Sequence, residues 1–245
     1  MRSGNPTLSD NTFKNIEYAA PGDVMTLNGA VNKSFILLFL CILTANISWS
    51  VEQGPTTSLY GYMAAGGIGG FVLALITVFK KTWAPVTAPL YALAKGLMLG
   101  AVSSTYEMQF PGIVMNAVFL TFATFAALLF AYKSGMIKAT ENFKLGVAAA
   151  TGGIALVYLV SLVMSFFGKQ MPFLHDATPL GIGISLVIVV VAALNLVLDF
   201  DFIESGVERQ APKYMEWYGA FGLLVTLIWL YLEMLRLLAK TQSRK

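Results

Sequence analysis

Six ionisable side chains lie inside long apolar segments or at their ends, and these are the residues that could do chemistry. They are Lys95, Glu107, Asp199, Asp201, Glu233 and Arg236. A charged side chain at the centre of a bilayer costs about 2.5–3.5 kcal/mol on insertion scales, so proteins seldom keep one there without a use. Carboxylates in such places bind protons, and their hard oxygen atoms suit cations such as Ca²⁺.

Asp199 and Asp201 end an apolar run, Leu180 to Leu198, whose polar side chains are Ser185 and Asn195. Side chains that are two residues apart on a helix point about 200° away from each other, so the two aspartates would not face the same cavity. Asp199 shares a face with Asn195, and we expect Asp199 to point inward and Asp201 to be solvated. The alternative is that the helix stops here and both carboxylates lie in the headgroup layer.

Lys95 lies about ten residues, or roughly 15 Å, into its apolar segment, which is the midplane of a bilayer. Glu233 lies about 15 residues, or roughly 22 Å, beyond Tyr218. An ion pair between Lys95 and Glu233 is therefore geometrically plausible. The alternatives are snorkelling of Lys95 toward the headgroups and a local pair between Glu233 and Arg236, which lie three residues apart on one helix face.

The elements that must position these residues are membrane spans. The chain has 245 residues, of which 57% are hydrophobic and 12% charged, whereas soluble domains carry about 25% charged residues. The sequence predicts an all-α membrane protein with seven spans, each near the roughly 20 residues that cross a bilayer. The expected segments are 34–51, 58–79, 85–105, 113–132, 144–167, 179–202 and 214–239, with Pro55, Pro85, Pro111, Pro179 and Pro212 at or before segment starts.

Three regions follow from this pattern: a cytoplasmic, partly disordered N-terminal arm (1–32), the transmembrane domain (33–240) and a short basic tail (241–245). Lysine and arginine are expected on the cytoplasmic side. With the N-terminus inside, the inner regions hold ten such residues, and the outer loops hold Lys169 alone plus the tail. The cations of the tail contradict this rule, because seven spans put the C-terminus outside; one re-entrant segment is the alternative.

Several classes of function are disfavoured. The net charge of +3 is spread over short loops, so no nucleic-acid partner is expected. Cys41 is the single cysteine, which leaves no disulfide or thiolate cluster, and His175 is expected to be a solvated loop residue. An intramembrane enzyme is disfavoured because no metal-ligand set and no Ser–His pairing is evident, and we expect no cofactor. Glycines within the spans predict close helix contacts: Gly66, Gly67, Gly69, Gly70, Gly96, Gly100, Gly152 and Gly153.

The order and spacing of several motifs resemble the transmembrane Bax inhibitor motif family, in particular its bacterial YccA-like branch. The matching stretches are Met1–Pro6, Ala88–Leu97 leading into Gly100–Ser103, Leu198–Glu204 and Trp229–Leu238. The resemblance covers nearly the whole chain. It implies a seven-helix bundle with the last helix central, wrapped by the other six, in a bacterial inner membrane.

The resemblance also implies a pH-sensitive calcium leak. In that family two acidic residues, on helices 6 and 7, share a proton and set the closed and open states; the matching positions are Asp199 and Glu233. They would form the pH sensor and ion path, with Asp201, Lys95, Glu107 and Arg236 as further candidates. No firm metal site is expected, although Asp199 and Glu233 are candidate calcium ligands. Read as a plain hairpin, however, the two acids lie roughly 20 Å apart along the membrane normal, unless residues 205–217 form a separate interfacial piece.

Two departures from the family pattern affect this expectation. The second acid is Glu233 rather than the usual aspartate, which is one methylene shorter, and Lys95 stands where a carboxylate is expected. The alternative function is a non-transporting protein that binds and modulates a membrane protease or another membrane partner through the N-terminal arm. A monomer or small homo-oligomer in the lipid bilayer is compatible with either.

Overall fold

The computed structural model describes residues 23–49, 57–168, 171 and 176–244. Over these residues the chain forms seven α-helices and no strand beyond one isolated bridge. The helices are α1 (Leu27–Trp49), α2 (Thr57–Phe79), α3 (Ala84–Gln109), α4 (Ile113–Lys133), α5 (Glu141–Phe166), α6 (Pro179–Glu208) and α7 (Tyr214–Gln242), with a 3₁₀ turn at Lys81–Trp83. All seven are long and apolar enough to cross a bilayer, so the predicted all-α, multi-pass membrane fold is confirmed.

The helix ends follow local sequence signals. The hydroxyls of Thr26, Thr140 and Thr178 each accept a hydrogen bond from the backbone N–H three residues later, which caps α1, α5 and α6. Proline begins or precedes α3, α4, α6 and α7, as predicted. Pro55 lies outside the described residues, as do Lys169 and His175.

Two predicted boundaries were wrong. Helix α1 begins at Leu27 rather than at residue 34, so part of the predicted arm is helical; residues 1–22 of that arm lie outside the described residues. Helix α6 does not stop at the aspartates but continues to Glu208. Helix α7 begins at Tyr214, as predicted. Residues 205–217 therefore form the end of one helix, a short loop and the start of the next, which rules out the alternative of a separate interfacial piece.

The described residues divide into two compact units. The first, which we call the α1–α3 unit, comprises residues 23–111 and 202–225; the second, the α4–α5 unit, comprises residues 112–201 and 226–244. Within the α1–α3 unit, α3 packs against both α1 and α2. Both α6 and α7 are buried over 56% of their most apolar 18 residues, and the segment with α3 over 50%; the other four helices are buried over 22% or less.

Close helix contacts occur at some of the predicted glycines and not at others. A Cβ atom at Gly96 would clash with the carbonyl oxygen of Cys41 on α1, and one at Gly66 would lie 2.7 Å from the backbone nitrogen of Met98 on α3. The same prediction was wrong for Gly152 and Gly153 on α5, where an added Cβ would meet no described atom within 4 Å. Small residues allow close approach, but the neighbouring helix must also be there.

Within the α1–α3 unit, the residues just before α1 contact the loop between α6 and α7. Val24 forms a bridge with Pro212, and the backbone N–H of Met25 donates to the carbonyl of Ala211 at 2.6 Å. The start of α1 and the α6–α7 loop therefore lie on the same face of the membrane. Six helices separate them in sequence, which is the even number that six full crossings require.

Candidate intramembrane polar site

One face of α5 carries a polar residue every seventh position: Lys144, Thr151 and Tyr158. Seven residues are close to two helical turns, so the three side chains follow one line along the helix. Lys144 pairs with Asp201 (Nζ to Oδ2, 2.7 Å), Thr151 accepts from Asn195 (Nδ2 to Oγ1, 2.8 Å) and Tyr158 donates to Glu233 (Oη to Oε1, 2.7 Å). We call these six residues, with Arg236 and with the buried Asp199 one turn from Asn195 on α6, the polar seam.

At one level of the seam, Glu233 is held by two neighbours. Its side chain is 2% exposed, and both carboxylate oxygens accept from Arg236 Nη1, at 2.8 and 2.9 Å. Arg236 also donates to Tyr158 and lies over the Tyr158 ring, 5.2 Å from its centroid. The local Glu233–Arg236 pair, one of the two predicted alternatives, is therefore present, and Tyr158 closes it from α5.

The aspartates lie at another level. Asp199 is completely buried, at 0% exposure, so its inward orientation is confirmed. Asp201 is partly exposed, as expected of the residue on the other side, but it is also held by the buried ammonium of Lys144. Lys144 lies 3.8 Å from a second carboxylate, that of Glu141 in the first turn of α5. From sequence alone, Lys144 counts only as one of the ten basic residues of the cytoplasmic side, without a partner across the membrane domain.

Contacts within the α4–α5 unit give the register of its helices. Lys240 Nζ donates to the carbonyl of Gly181 at 3.1 Å, so the end of α7 lies beside the start of α6 and the two helices are antiparallel. From this contact Asp199 is 18 residues along α6 and Glu233 is seven residues back along α7. At 1.5 Å per residue the two acids differ in height by about 16 Å.

The contacts of α5 agree with this offset. Thr151 is level with Asn195, Lys144 with Asp201 and Tyr158 with Glu233, which again puts Asp199 about 17 Å from Glu233 along the axes. The two acids thus occupy different levels of one seam, close to the roughly 20 Å offset expected for a plain hairpin. Sharing of one proton between them stays a prediction, and it requires a different helix register.

The basic residues near the C-terminus are not all solvated. Lys240 is 5% exposed, and its Nζ donates to Ser185 Oγ at 2.8 Å as well as to Gly181. Arg236 is taken up by Glu233 and Tyr158. Of the four basic residues between 236 and 245, Arg236 and Lys240 therefore have partners on the helices. All seven helices are long enough for full spans.

The two remaining predicted site residues lie in the α1–α3 unit. Lys95 is half-buried; its stem lies against Gly70, its Nζ is 3.9 Å from Met98 Sδ, and the ammonium lies 5.9 Å from the Tyr91 ring centroid. Glu107 is half-buried in the last turns of α3. The charged neighbour of Glu233 is Arg236, and the expected Lys95–Glu233 pair stays a prediction.

The α1–α3 unit also contains a buried carboxylate that the sequence analysis missed. Glu216, in the first turn of α7, is 1% exposed. It accepts from the backbone N–H and the hydroxyl of Thr26, both at 2.9 Å, and from Lys33 Nζ at 2.5 Å. Among the residues that the structure describes, no three His, Cys, Asp or Glu side chains lie together as a metal site, so calcium is considered below as a transported ion.

Comparison with known proteins identifies one family. A family model described as Bax inhibitor 1 like matches residues 5–243, nearly the whole chain. No curated protein matches the chain. The matched residues include both the polar seam and the contacts of Glu216 with Thr26 and Lys33.

Proposed function

Because this chain belongs to the Bax inhibitor 1 like family, we propose that it is a pH-sensitive cation leak channel with Ca²⁺ as the transported ion. The observation that carries the proposal is the polar seam, in which acidic side chains from α6 and α7 lie within membrane-spanning helices. Ionisable residues inside a membrane mark ion and proton paths by default. We further propose a bacterial inner membrane and a cytoplasmic N-terminus.

The arrangement supports a closed state. Asp201 is neutralised by Lys144, and Glu233 by Arg236. A calcium ion moving along the seam would have to displace these cations, because carboxylate oxygens that already hold an ammonium or guanidinium are poor ligands for a further cation. The two basic side chains thus act as internal blocks to conduction.

Protonation supplies the proposed gate. A protonated carboxyl carries no charge, so Asp201 holds Lys144 less strongly and Glu233 accepts more weakly from Tyr158; both contacts hold α5. Flux is then expected to rise as the pH falls. Glu233 faces Tyr158 and Arg236, and Lys240 follows about two turns further along α7. Asp201 faces Lys144, which also lies near Glu141.

Calcium flux into liposomes, followed with a trapped calcium dye at an acidic and a neutral pH, tests the proposal. Asp199→Asn, Asp201→Asn and Glu233→Gln should each change the flux and its pH response. Glu204→Gln, an exposed acid on α6, is the matched control and should behave as the unaltered protein. If all three seam variants conduct and respond to pH as the unaltered protein does, the proposal is rejected.

A non-transporting role stays a prediction. It depends on the N-terminal arm, most of which lies outside the described residues. Deleting the arm should remove a co-purifying membrane partner, such as a protease, without altering flux.

A further inference from the structure

Asn195 holds a buried oxygen atom that no described residue satisfies. The side chain is 2% exposed, and its Nδ2 donates to Thr151 Oγ1 at 2.8 Å and to the carbonyl of Val191 at 2.9 Å. A carbonyl can only accept, so the Val191 contact fixes which end of the amide is nitrogen. Oδ1 is left fully buried and accepts no hydrogen bond within the described part of the chain. Buried acceptors in native proteins nearly always have a partner.

The position of this oxygen relative to Asp199 suggests its partner. The two residues are four apart on α6, which puts them on one helix face about 6 Å apart in height. Asp199 is completely buried. An amide oxygen and a carboxylate are both hard ligands of the kind that Ca²⁺ takes in proteins, usually together with water.

We propose that Asn195 Oδ1 and the carboxylate of Asp199 form a binding site for a partly dehydrated hard cation, of which Ca²⁺ is the expected occupant. This site rests on the proposed channel function and names the level of the seam where the ion stops. The neighbouring acids of the seam form ion pairs, Asp201 with Lys144 and Glu233 with Arg236. Asn195 is then a selectivity-determining residue, because an apolar side chain there would remove the neutral ligand and leave Asp199 alone.

Binding is measured on the purified full chain in detergent, with Ca²⁺ alone as the probe, by equilibrium binding of radioactive calcium and by the calcium-dependent shift in thermal unfolding. Asn195→Leu, which keeps the size and removes the oxygen, should weaken calcium binding about ten- to a hundredfold. Asn195→Asp keeps an oxygen in the same place and adds charge, so it should bind at least as tightly as the unaltered protein. Asn116→Leu, an exposed position on α4, is the matched control and should leave binding unchanged.

Each outcome decides. If the unaltered protein binds no calcium, or if Asn195→Leu binds as the unaltered protein does, the site is rejected, and a trapped water satisfies Oδ1 instead. If Asn195→Leu fails to fold, Asn195→Asp carries the test: weaker binding than in the unaltered protein rejects the site. Binding that depends on Asn195 in a protein that leaks no calcium would keep the site and reject the channel. Calcium flux through a protein whose calcium binding does not depend on Asn195 would reject the site and keep the channel.

Discussion

Helix α7 carries two buried glutamates that look alike in sequence but are held in different ways. Glu216 is 1% exposed and Glu233 2%, and each forms an ion pair. Glu216, in the α1–α3 unit, also accepts a backbone N–H, that of Thr26 at the start of α1. The described donors to Glu233, in the α4–α5 unit, are side chains, those of Tyr158 and Arg236. Releasing Glu216 would disturb the start of a helix, whereas releasing Glu233 requires side-chain movement.

The helices are also packed more closely in the α1–α3 unit than around α5. In the α1–α3 unit, Thr44 on α1 donates to the carbonyl of Leu93 on α3 at 2.9 Å, beside the close contact at Gly96. In the α4–α5 unit, the glycine pair of α5 has no described atom close by, and only 6% of the most apolar window of α5 is buried.

This difference in packing indicates which helix contacts are most sensitive to a change of protonation. Lipid tails are as apolar as leucine, so membrane helices associate through close packing and polar contacts rather than through the hydrophobic effect. A helix with little close packing depends more on its polar contacts, and two of the three seam contacts of α5, those of Lys144 and Tyr158, have titratable partners. A change of protonation therefore has more effect on α5 than on α1, α2 or α3.

The largest expected effect is loss of stability on removing the charge of Glu216. Glu216→Gln leaves Lys33, whose side chain is only 18% exposed, without its counter-ion. Removing one partner of a buried ion pair costs about 3–5 kcal/mol. Glu233→Gln should cost less, about 1.5–3 kcal/mol, because Arg236 keeps Tyr158 as a second partner and the loss is that of a hydrogen bond to a charged group. Unfolding free energies in mixed detergent micelles measure both.

The exposed Glu204→Gln is the control for this pair of variants. Equal losses for Glu216→Gln and Glu233→Gln would show that the two glutamates play the same structural part, and the distinction between them would be wrong.

The next effect concerns the glycines. Gly96→Ala adds a Cβ against the carbonyl of Cys41 and the hydroxyl of Thr44, and overpacking of this kind costs about 1–3 kcal/mol. Gly152→Ala adds the same atom where nothing described lies within 4 Å, so it should be neutral or stabilise by up to about 1 kcal/mol through helix propensity. Thermal unfolding of the two variants, side by side, gives the sign of each change. A destabilising Gly152→Ala would mean that a partner covers that face of α5.

Much of the fold could be predicted from the sequence because the signals are local. Apolar runs of about 20 residues identify the spans, and prolines at their starts identify helix ends. The spacing of Asp199 and Asp201, with the face that Asp199 shares with Asn195, was enough to predict which of them points inward. The line of Lys144, Thr151 and Tyr158 is also visible as a seven-residue period, but a count of basic residues by side of the membrane does not detect it.

The pairings could not be predicted, because they join residues far apart in sequence. Lys33 and Glu216 are 183 residues apart, and Tyr158 and Glu233 are 75 apart. Charge counting treats a lysine near a helix end as solvated, but Lys33 and Lys144 each have a carboxylate partner across the unit. The same long-range contacts set the helix register, which is why the level of Asp199 relative to Glu233 needed the structure.

The smallest effect expected is the coupling between Tyr158 and Glu233. Hydrogen bonds between membrane helices contribute about 0.6 kcal/mol on average in double-mutant cycles. A cycle of Tyr158→Phe and Glu233→Gln should give a coupling of about that size, since phenylalanine keeps the ring over Arg236 and removes the hydroxyl that donates to Glu233. The unfolding free energies of the four proteins measure it.

A matched cycle of Thr26→Val and Glu216→Gln sharpens the contrast between the two glutamates. Valine removes the Thr26 hydroxyl but keeps the backbone N–H, which also donates to Glu216. Part of the interaction therefore survives the substitution, and the cycle reports the hydroxyl alone. If Tyr158→Phe raises calcium flux while Thr26→Val does not, at similar coupling energies, then location in the seam rather than strength of the bond decides which contact controls α5. If both variants raise flux equally, the seam has no special part in gating.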